Sequence, residues 1–422
     1  MNARDELAAD RDRWLGQHPA LAAIREWQRE LTAIRHELHA NPELGFEEHF
    51  TSELVARQLA RWGVDEVHRG IGKTGIVGVI RGRETHSART VGLRADMDAL
   101  PMHEDNDFAH RSRKAGCMHG CGHDGHTTML LGAARYLARH RDFDGTVHLL
   151  FQPGEEGFAG AQAMIDDGLF ERFPCDAVFG MHNWPGMPVG TFGLCAGPML
   201  ASANEFEITI QGQGSHAALP HTGRDPIWIA CQVAIALQGI VSREKKPVDA
   251  AVLSVTQIHA GDAYNIVPDQ AVIRGTVRTF DSRVTDLFER RITEIGQTLP
   301  TAFGASGKVV FERTYPPLVN HPAETDFARG IAAGLVGADK VIEFEPTMGS
   351  EDFAYMLLAR PGCYIGIGNG DGGHREAGHG AGACVLHNPS YDFNDEIIPL
   401  GASYWVGIAR AALGGNGPSR PA

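Results

Sequence analysis

The chain reads as an α/β protein: a largely parallel, doubly wound sheet interrupted by an inserted α+β domain. Three observations predict this. In the first half, apolar runs that suit buried strands alternate with amphipathic helical stretches, the pattern of a parallel sheet covered on both faces. Near residue 199 the pattern changes to strands of alternating polar and apolar residues, in the β-α-β-β-α-β order of a ferredoxin-like module. Length agrees, since 422 residues exceed what one growing core usually holds. The expected division is 1–198 with 314–422 for the larger domain, and 199–313 for the insert.

Residues 1–20 read as a polar extension. Ile24, Trp27, Leu31, Ile34 and Leu38 recur at spacings of three and four, which predicts a helix over about 21–38. His39-Ala-Asn-Pro-Glu-Leu-Gly45 breaks it, and 48–62 reads as a second helix. Strands follow at 75–81 (GIVGVIR) and 90–97 (TVGLRADM), then a helix at 123–141, a strand at 145–151, a helix at 159–167 and a strand at 176–181. In the insert, 205–211, 252–259, 271–279 and 308–312 read as strands, and 226–242 and 284–299 as helices. The α/β pattern resumes near Phe327, with a strand at 364–367 and a last helix over about 399–413. The tail GGNGPSRPA reads as disordered.

A formal net charge of −14 argues against nucleic acid or an anionic membrane as partner, because both demand a basic face. No apolar run of about 18 residues indicates a transmembrane helix, and the charged start MNARDELAADRDRW is unlike a signal peptide. Seven scattered cysteines make a poor disulfide framework and suit a reducing cytoplasm.

Candidate chemistry gathers just past the strands, where open α/β sheets place their sites. Cys121 and His123 stand at the start of the 123–141 helix, whose dipole favours a metal-binding thiolate. The competing reading is an inert thiol, or a Cys117–Cys121 disulfide, with a capping histidine. His119 and His126 lie one turn either side of His123; they read as outer partners of the ligands or, the reading favoured here, as surface residues of that turn. Glu155 and Glu156 follow strand 145–151; they form either a solvated acidic loop or a metal ligand beside a free base. His182 ends strand 176–181, and His387 lies before the last helix; each taken alone suits a structural role. Asp98 closes strand 90–97, either as a turn residue or as an outer partner that orients a ligand histidine.

Together these residues match a family. RHELHANPELGFEE (35–48), RADMDALP (94–101), MHGCGHDGHT (118–127), FQPGEEG (151–157), GMHNWP (180–185), GSHAALPHTGRDP (214–226), NIVPD (265–269), GTVRT (275–279), GSEDFA (349–354) and LHNPSYDFND (386–395) resemble the M20 metallopeptidases. The likeness is to the amidohydrolase branch of hippurate hydrolases, aminoacylases and auxin-conjugate hydrolases, and spans about 30–412. It implies a metal-dependent amidohydrolase that cleaves N-acyl amino acids. It implies Cys121, His123, Glu156, His182 and His387 as ligands of up to two divalent ions, with Cys121 bridging. Glu155 would be the general base and acid, with Asp98 as its partner. His216 would cross a dimer interface to polarise the scissile carbonyl, and Asn265 and Arg278 would hold the substrate carboxylate. The insert would serve as dimerisation and lid domain of a homodimer. One position departs from the wider family: an H-x-D histidine is replaced by Asp96, and the thiolate makes the site softer. Zinc or manganese, or else cobalt, is implied. Trp184, Met199 and Phe353 are candidate walls for the acyl group. Peptidases and diaminopimelate or ureido amidases of the same fold are the alternatives, and a non-catalytic metal binder is a more distant one.

Overall fold

The computed structural model describes residues 18–375 and 377–414; most of the N-terminal extension, and the tail beyond Gly414, lie outside the described residues. By its contacts the chain divides into two compact units, one of residues 1–197, 320–344 and 355–422, the other of 198–319 and 345–354.

The larger unit is built on an eight-stranded sheet. Across it run Glu66–Ile71, Gly75–Arg81, Thr146–Gln152, Thr90–Asp96, Ala177–Pro185, Gly362–Gly370, Phe192–Leu194 and Val341–Glu343. Thr146–Gln152, Thr90–Asp96, Ala177–Pro185 and Gly362–Gly370 run parallel, while the first two strands of the sheet pair antiparallel with their neighbours, and Phe192–Leu194 is antiparallel to Gly362–Gly370 but parallel to Val341–Glu343. The sheet is therefore mixed but mostly parallel. Both faces are covered. Along Thr146–Gln152, Val147, Leu149 and Phe151 enter the main core with the helices His123–Arg139 and Ile398–Leu413. His148 points the other way, toward Phe173 and Cys175.

The smaller unit has a four-stranded antiparallel sheet of Ala251–His259, Gln270–Thr279, Ala203–Gln211 and Ser306–Tyr315. In chain order this is 2-3-1-4, the ferredoxin-like arrangement that the β-α-β-β-α-β pattern predicts. Its core packs the helices Pro226–Gly239 and Ser282–Thr298 on one face through Ile229, Val233, Leu237, Phe288 and Ile292. One helical stretch among the described residues, Pro226–Glu244, is long and apolar enough to cross a membrane by length and composition. The apolar-run reading had passed over it; Ile229, Ala230, Val233, Leu237 and Ile240 place it in this core.

Buried ions fix the helix that opens the site. Asp124, in the first turn of His123–Arg139, accepts from Gly125 N and pairs with His39 Nδ1 at 2.8 Å. His39 Nε2 meets Glu104 at 3.1 Å, and Arg35 binds Asp392 and Asp395 at 2.7–2.9 Å. Burial opposes a charge on His39, but Asp124 and Glu104 outweigh it and raise its pKa to about 10. That is above its reference of 6.5, so the stabilisation is full below pH 6.5 and fades as pH climbs toward 10. Urea unfolding should show wild-type stability falling across that window. His39→Gln should flatten the slope and cost about 3–5 kcal/mol at pH 6, as expected for breaking a buried pair. An unchanged slope would reject the charged His39.

Candidate metal centre

Three parallel strands end beside one another, and each delivers part of the site. Thr90–Asp96 leads to Asp98, Thr146–Gln152 to the turn with Glu155 and Glu156, and Ala177–Pro185 carries His182. Cys121 and His123 come from the start of His123–Arg139. His387, at φ 61°, is held by its backbone N–H on Gly120 O at 2.8 Å.

The candidate ligand atoms converge in three overlapping groups. Cys121, His123 and His182 place one donor each within 4.8 Å of one another; so do Cys121, Glu156 and His387, and so do His123, Glu155 and Glu156. Cys121 Sγ is 3.3 Å from His182 Nε2, and His387 Nε2 is 3.3 Å from Glu156 Oε1. Tautomers suit ligation: His182 donates from Nδ1 to Asn183 O at 2.6 Å, leaving the Nε2 lone pair toward Cys121. Asp98 joins two parts, accepting from Glu156 N at 2.9 Å and lying 3.3 Å from His123 Nδ1.

The residues fit a divalent cation. His123 Nε2 and Glu156 Oε1 are buried without a hydrogen-bond partner, which is costly unless something else engages them. Burial opposes charge on His123, yet Asp96, Asp98 and Glu156 raise its pKa to about 10. The same field opposes the helix dipole at Cys121: burial, with Glu156, Glu155 and Asp96 nearby, pushes the thiol well above its usual range. A cation at the sulfur would favour the thiolate.

His119 and His126 are buried, not surface residues as expected. His126 accepts from Asn183 N at Nε2 (3.0 Å) and meets Asp96 Oδ1 through Nδ1 at 2.6 Å. Asn183 in turn donates to Tyr391 Oη at 2.7 Å. This network lies behind Cys121 and His182 and leaves no room at Gly122, where a Cβ would fall 2.2 Å from Asn183 Oδ1. Sequence reasoning did not find Asn183 or Tyr391, although both lie inside the motifs GMHNWP and LHNPSYDFND. All seven cysteines are free, which removes the Cys117–Cys121 disulfide.

In the smaller unit, His216 pairs with Ile266 across a two-stranded ladder, and Ala217 N donates to Asn265 O, so His216 and Asn265 are neighbours. Ala218 N donates to His216 Nδ1. Arg278 is half-buried on Gln270–Thr279, with its guanidinium on Thr276 Oγ1. Of the proposed acyl-pocket walls, Met199 and Phe353 are buried. Trp184, in the larger unit, is half-buried against Phe344.

A mixed α/β sheet with Cys, His and Glu donors gathered at its strand ends defines a metal-dependent hydrolase. The sequence profile of peptidase family M20/M25/M40 matches residues 92–411, and the chain belongs to that family. It is 42% identical to a hippurate hydrolase of Campylobacter jejuni, over 92% of this chain and 97% of that protein. It is 39% identical to thermostable carboxypeptidase 2 of Saccharolobus solfataricus, over 90% and 93% respectively. Among solved structures, the Bacillus subtilis YXEP protein, described as a dinuclear metal-binding peptidase of the M20 family, aligns with a TM-score of 0.78 at 32% identity. That alignment covers 92% of this chain and 99% of the other. The protein is a metal-dependent amidohydrolase.

Cys121→Ala removes the donor shared by two of the groups. Metal affinity, read by mass spectrometry after dialysis against graded chelator, should drop by more than the ~10–100-fold typical of losing an outer partner. Wild-type affinity in that variant would exclude the sulfur as a ligand.

Proposed function

We propose that this chain hydrolyses the amide bond of N-acyl amino acids, releasing a carboxylic acid and a free amino acid. The observation that carries the reading is the pairing of Glu155 and Glu156. Glu156 stands among the Cys121 and His387 donors, while Glu155 is buried beside it on the same irregular turn. Adjacent carboxylates can thus divide the work. In this reading Cys121, His123, Glu156, His182 and His387 hold the metal, with Cys121 shared. When bound, divalent ions would supply Lewis acidity to a water and to the acyl carbonyl.

Glu155 takes a proton from the attacking water as the new C–O bond forms. It delivers that proton to the amide nitrogen as the C–N bond breaks. Asp98 holds His123 and the Glu156 backbone in place. His216 donates to the oxyanion that develops on the acyl carbonyl oxygen, from a neighbouring subunit in a homodimer. Arg278, with Asn265, binds the substrate carboxylate, a task its planar fork suits.

Zinc is the metal we favour for a thiolate-containing site, with manganese or cobalt as the other arms of the test. The insert serves as dimerisation and lid domain. In support, Trp228, Ile235, Tyr264 and Ile266 are exposed on this unit, apolar surface that a second copy could cover. Seven free thiols fit a cytoplasmic setting.

A second reading, carboxypeptidase activity, draws on the similarity to the Saccharolobus enzyme. Benzoyl- and acetyl-amino acids assayed against dipeptides with zinc, manganese and cobalt will separate the two. Faster cleavage of dipeptides would overturn the acyl-amino-acid assignment.

Glu155→Gln should retain metal yet lose about 10²–10⁴-fold in kcat, the usual worth of a positioned acid–base group. Substantial residual turnover would refute the role. Light scattering should find a dimer, with His216→Ala losing about 10²–10³-fold in kcat. Full activity in a strictly monomeric protein would rule out a histidine acting across subunits.

A further inference from the structure

We propose that Glu48 is a positioning residue for the Glu155–Glu156 turn, acting by tethering the Gly154 backbone N–H. The inference rests on the reading of Glu155 as the base and adds a residue to which no role has been given. Glu48 directly precedes the helix His49–Arg61, where a side chain would normally cap the exposed N–H groups. It does not do so. Glu43 has that task, accepting from Phe50 N and Thr51 N at 3.0 Å each.

Glu48 is thereby left to act elsewhere. Fully buried, it reaches a turn 106 residues further along the chain and accepts from Gly154 N at 2.8 Å. Its other oxygen accepts from Thr74 Oγ1. Thr74 immediately precedes Gly75–Arg81, which runs antiparallel to Thr146–Gln152 with Ile76 opposite Phe151, so it lies at the strand end that leads into the turn. Ser52 Oγ, in the helix, donates to Thr74 O and ties the two segments again.

The turn needs an external anchor. Gly154 (φ 57°), Gly157 (φ 88°) and Ala159 (φ 54°) are left-handed, and Glu156 is non-helical at ψ 72°. These angles interrupt the short helix Glu155–Phe158, and a displacement of about 1 Å in a catalytic group can cost ~10²-fold in rate. Asp98 anchors the Glu156 N–H, and Glu48 anchors the Gly154 N–H, one residue on the far side of Glu155. Burial, together with the charge of Asp98, pushes the Glu48 pKa up to about 7. A neutral amide should therefore be tolerated here better than at an ion-paired carboxylate.

The test compares Glu48→Ala, Glu48→Gln and Thr74→Val in the full-length, metal-loaded protein. Glu48→Ala should lose about 10–100-fold in kcat, with KM and metal content near wild type. Glu48→Gln, which can still accept from Gly154 N, should recover activity to within several-fold. Thr74→Val should show a smaller loss of kcat in the same direction. Deuterium exchange of the Gly154 amide is read in parallel and should accelerate in Glu48→Ala but not in Glu48→Gln. That readout holds even if no acyl-amino acid is turned over, so a failed substrate assignment and a failed tether are told apart. Wild-type kcat in Glu48→Ala, or unchanged exchange at Gly154, overturns the proposal. Should Glu48→Ala not fold, Thr74→Val decides, and wild-type kcat with wild-type Gly154 exchange in that variant overturns it too.

Discussion

The constraint on which this site depends is the burial of acidic side chains, carboxyls and one thiol, where three parallel strands and a helix start meet. Asp96, Asp98, Glu155 and Cys121 are all buried there, with Glu156 beside them. An isolated carboxylate in a protein interior is costly unless it is paired or binds a cation. Asp96 meets its cost through His123, through Arg94 at 2.7 Å and through His126, which hold its carboxyl well below the usual range against burial. Glu156 Oε1 finds no hydrogen-bond partner, and Cys121 is pushed away from its thiolate form by the carboxylates around it. A cation at the sulfur would relieve both at once. The topology therefore does more than gather donors, because it creates an electrostatic demand that divalent metal meets.

The larger fold was legible because its central strands are apolar along their length, and three of them follow the parallel pattern with helices between. What escaped had weak or short signals. Glu66–Ile71 reads EVHRGI, an edge strand with only Ile71 fully buried, and Phe192–Leu194 is three residues long. The mixed character of the sheet was not legible either, since Gly75–Arg81 has the same buried, apolar look whichever way its neighbours run.

The candidate ligands are legible in the motifs, and the structure draws those five side chains into overlapping groups. The surroundings are harder to read. His126 looks like a surface residue, but His123–Arg139 is buried on every side through Leu137, and His119 just before it is buried too. Periodicity carries no information in such a helix. The field around Cys121 is illegible in the sequence for a related reason. A helix dipole is a local feature visible in sequence, whereas the opposing carboxylates arrive from 25 residues before and 35 after.

The two sides of the site are held by different chemistry, and this bears on how each tolerates change. The Cys121–His123 side leans on Asp124, His39, Glu104 and Arg35, a fully buried ionic network joining the helix start to Gln28–Ala40 and to the last motif. Removing one member there leaves an unpaired charge, so stability and site geometry fail together. On the Glu155–Glu156 side, a glycine-bounded turn is tethered through single backbone hydrogen bonds, from Gly154 N to Glu48 and from Glu156 N to Asp98. Such contacts contribute about 1 kcal/mol each to stability, or about 1.5–3 where the acceptor is charged, so their loss need not unfold the protein. In the proposed mechanism their effect on catalysis is larger, because a Glu155 that moves a proton must stay within hydrogen-bond reach of it. An ionic wall behind the candidate metal donors and a lightly tethered turn under the proposed proton carrier is the arrangement that mechanism calls for, with metal held through turnover while Glu155 changes its protonation state in every cycle.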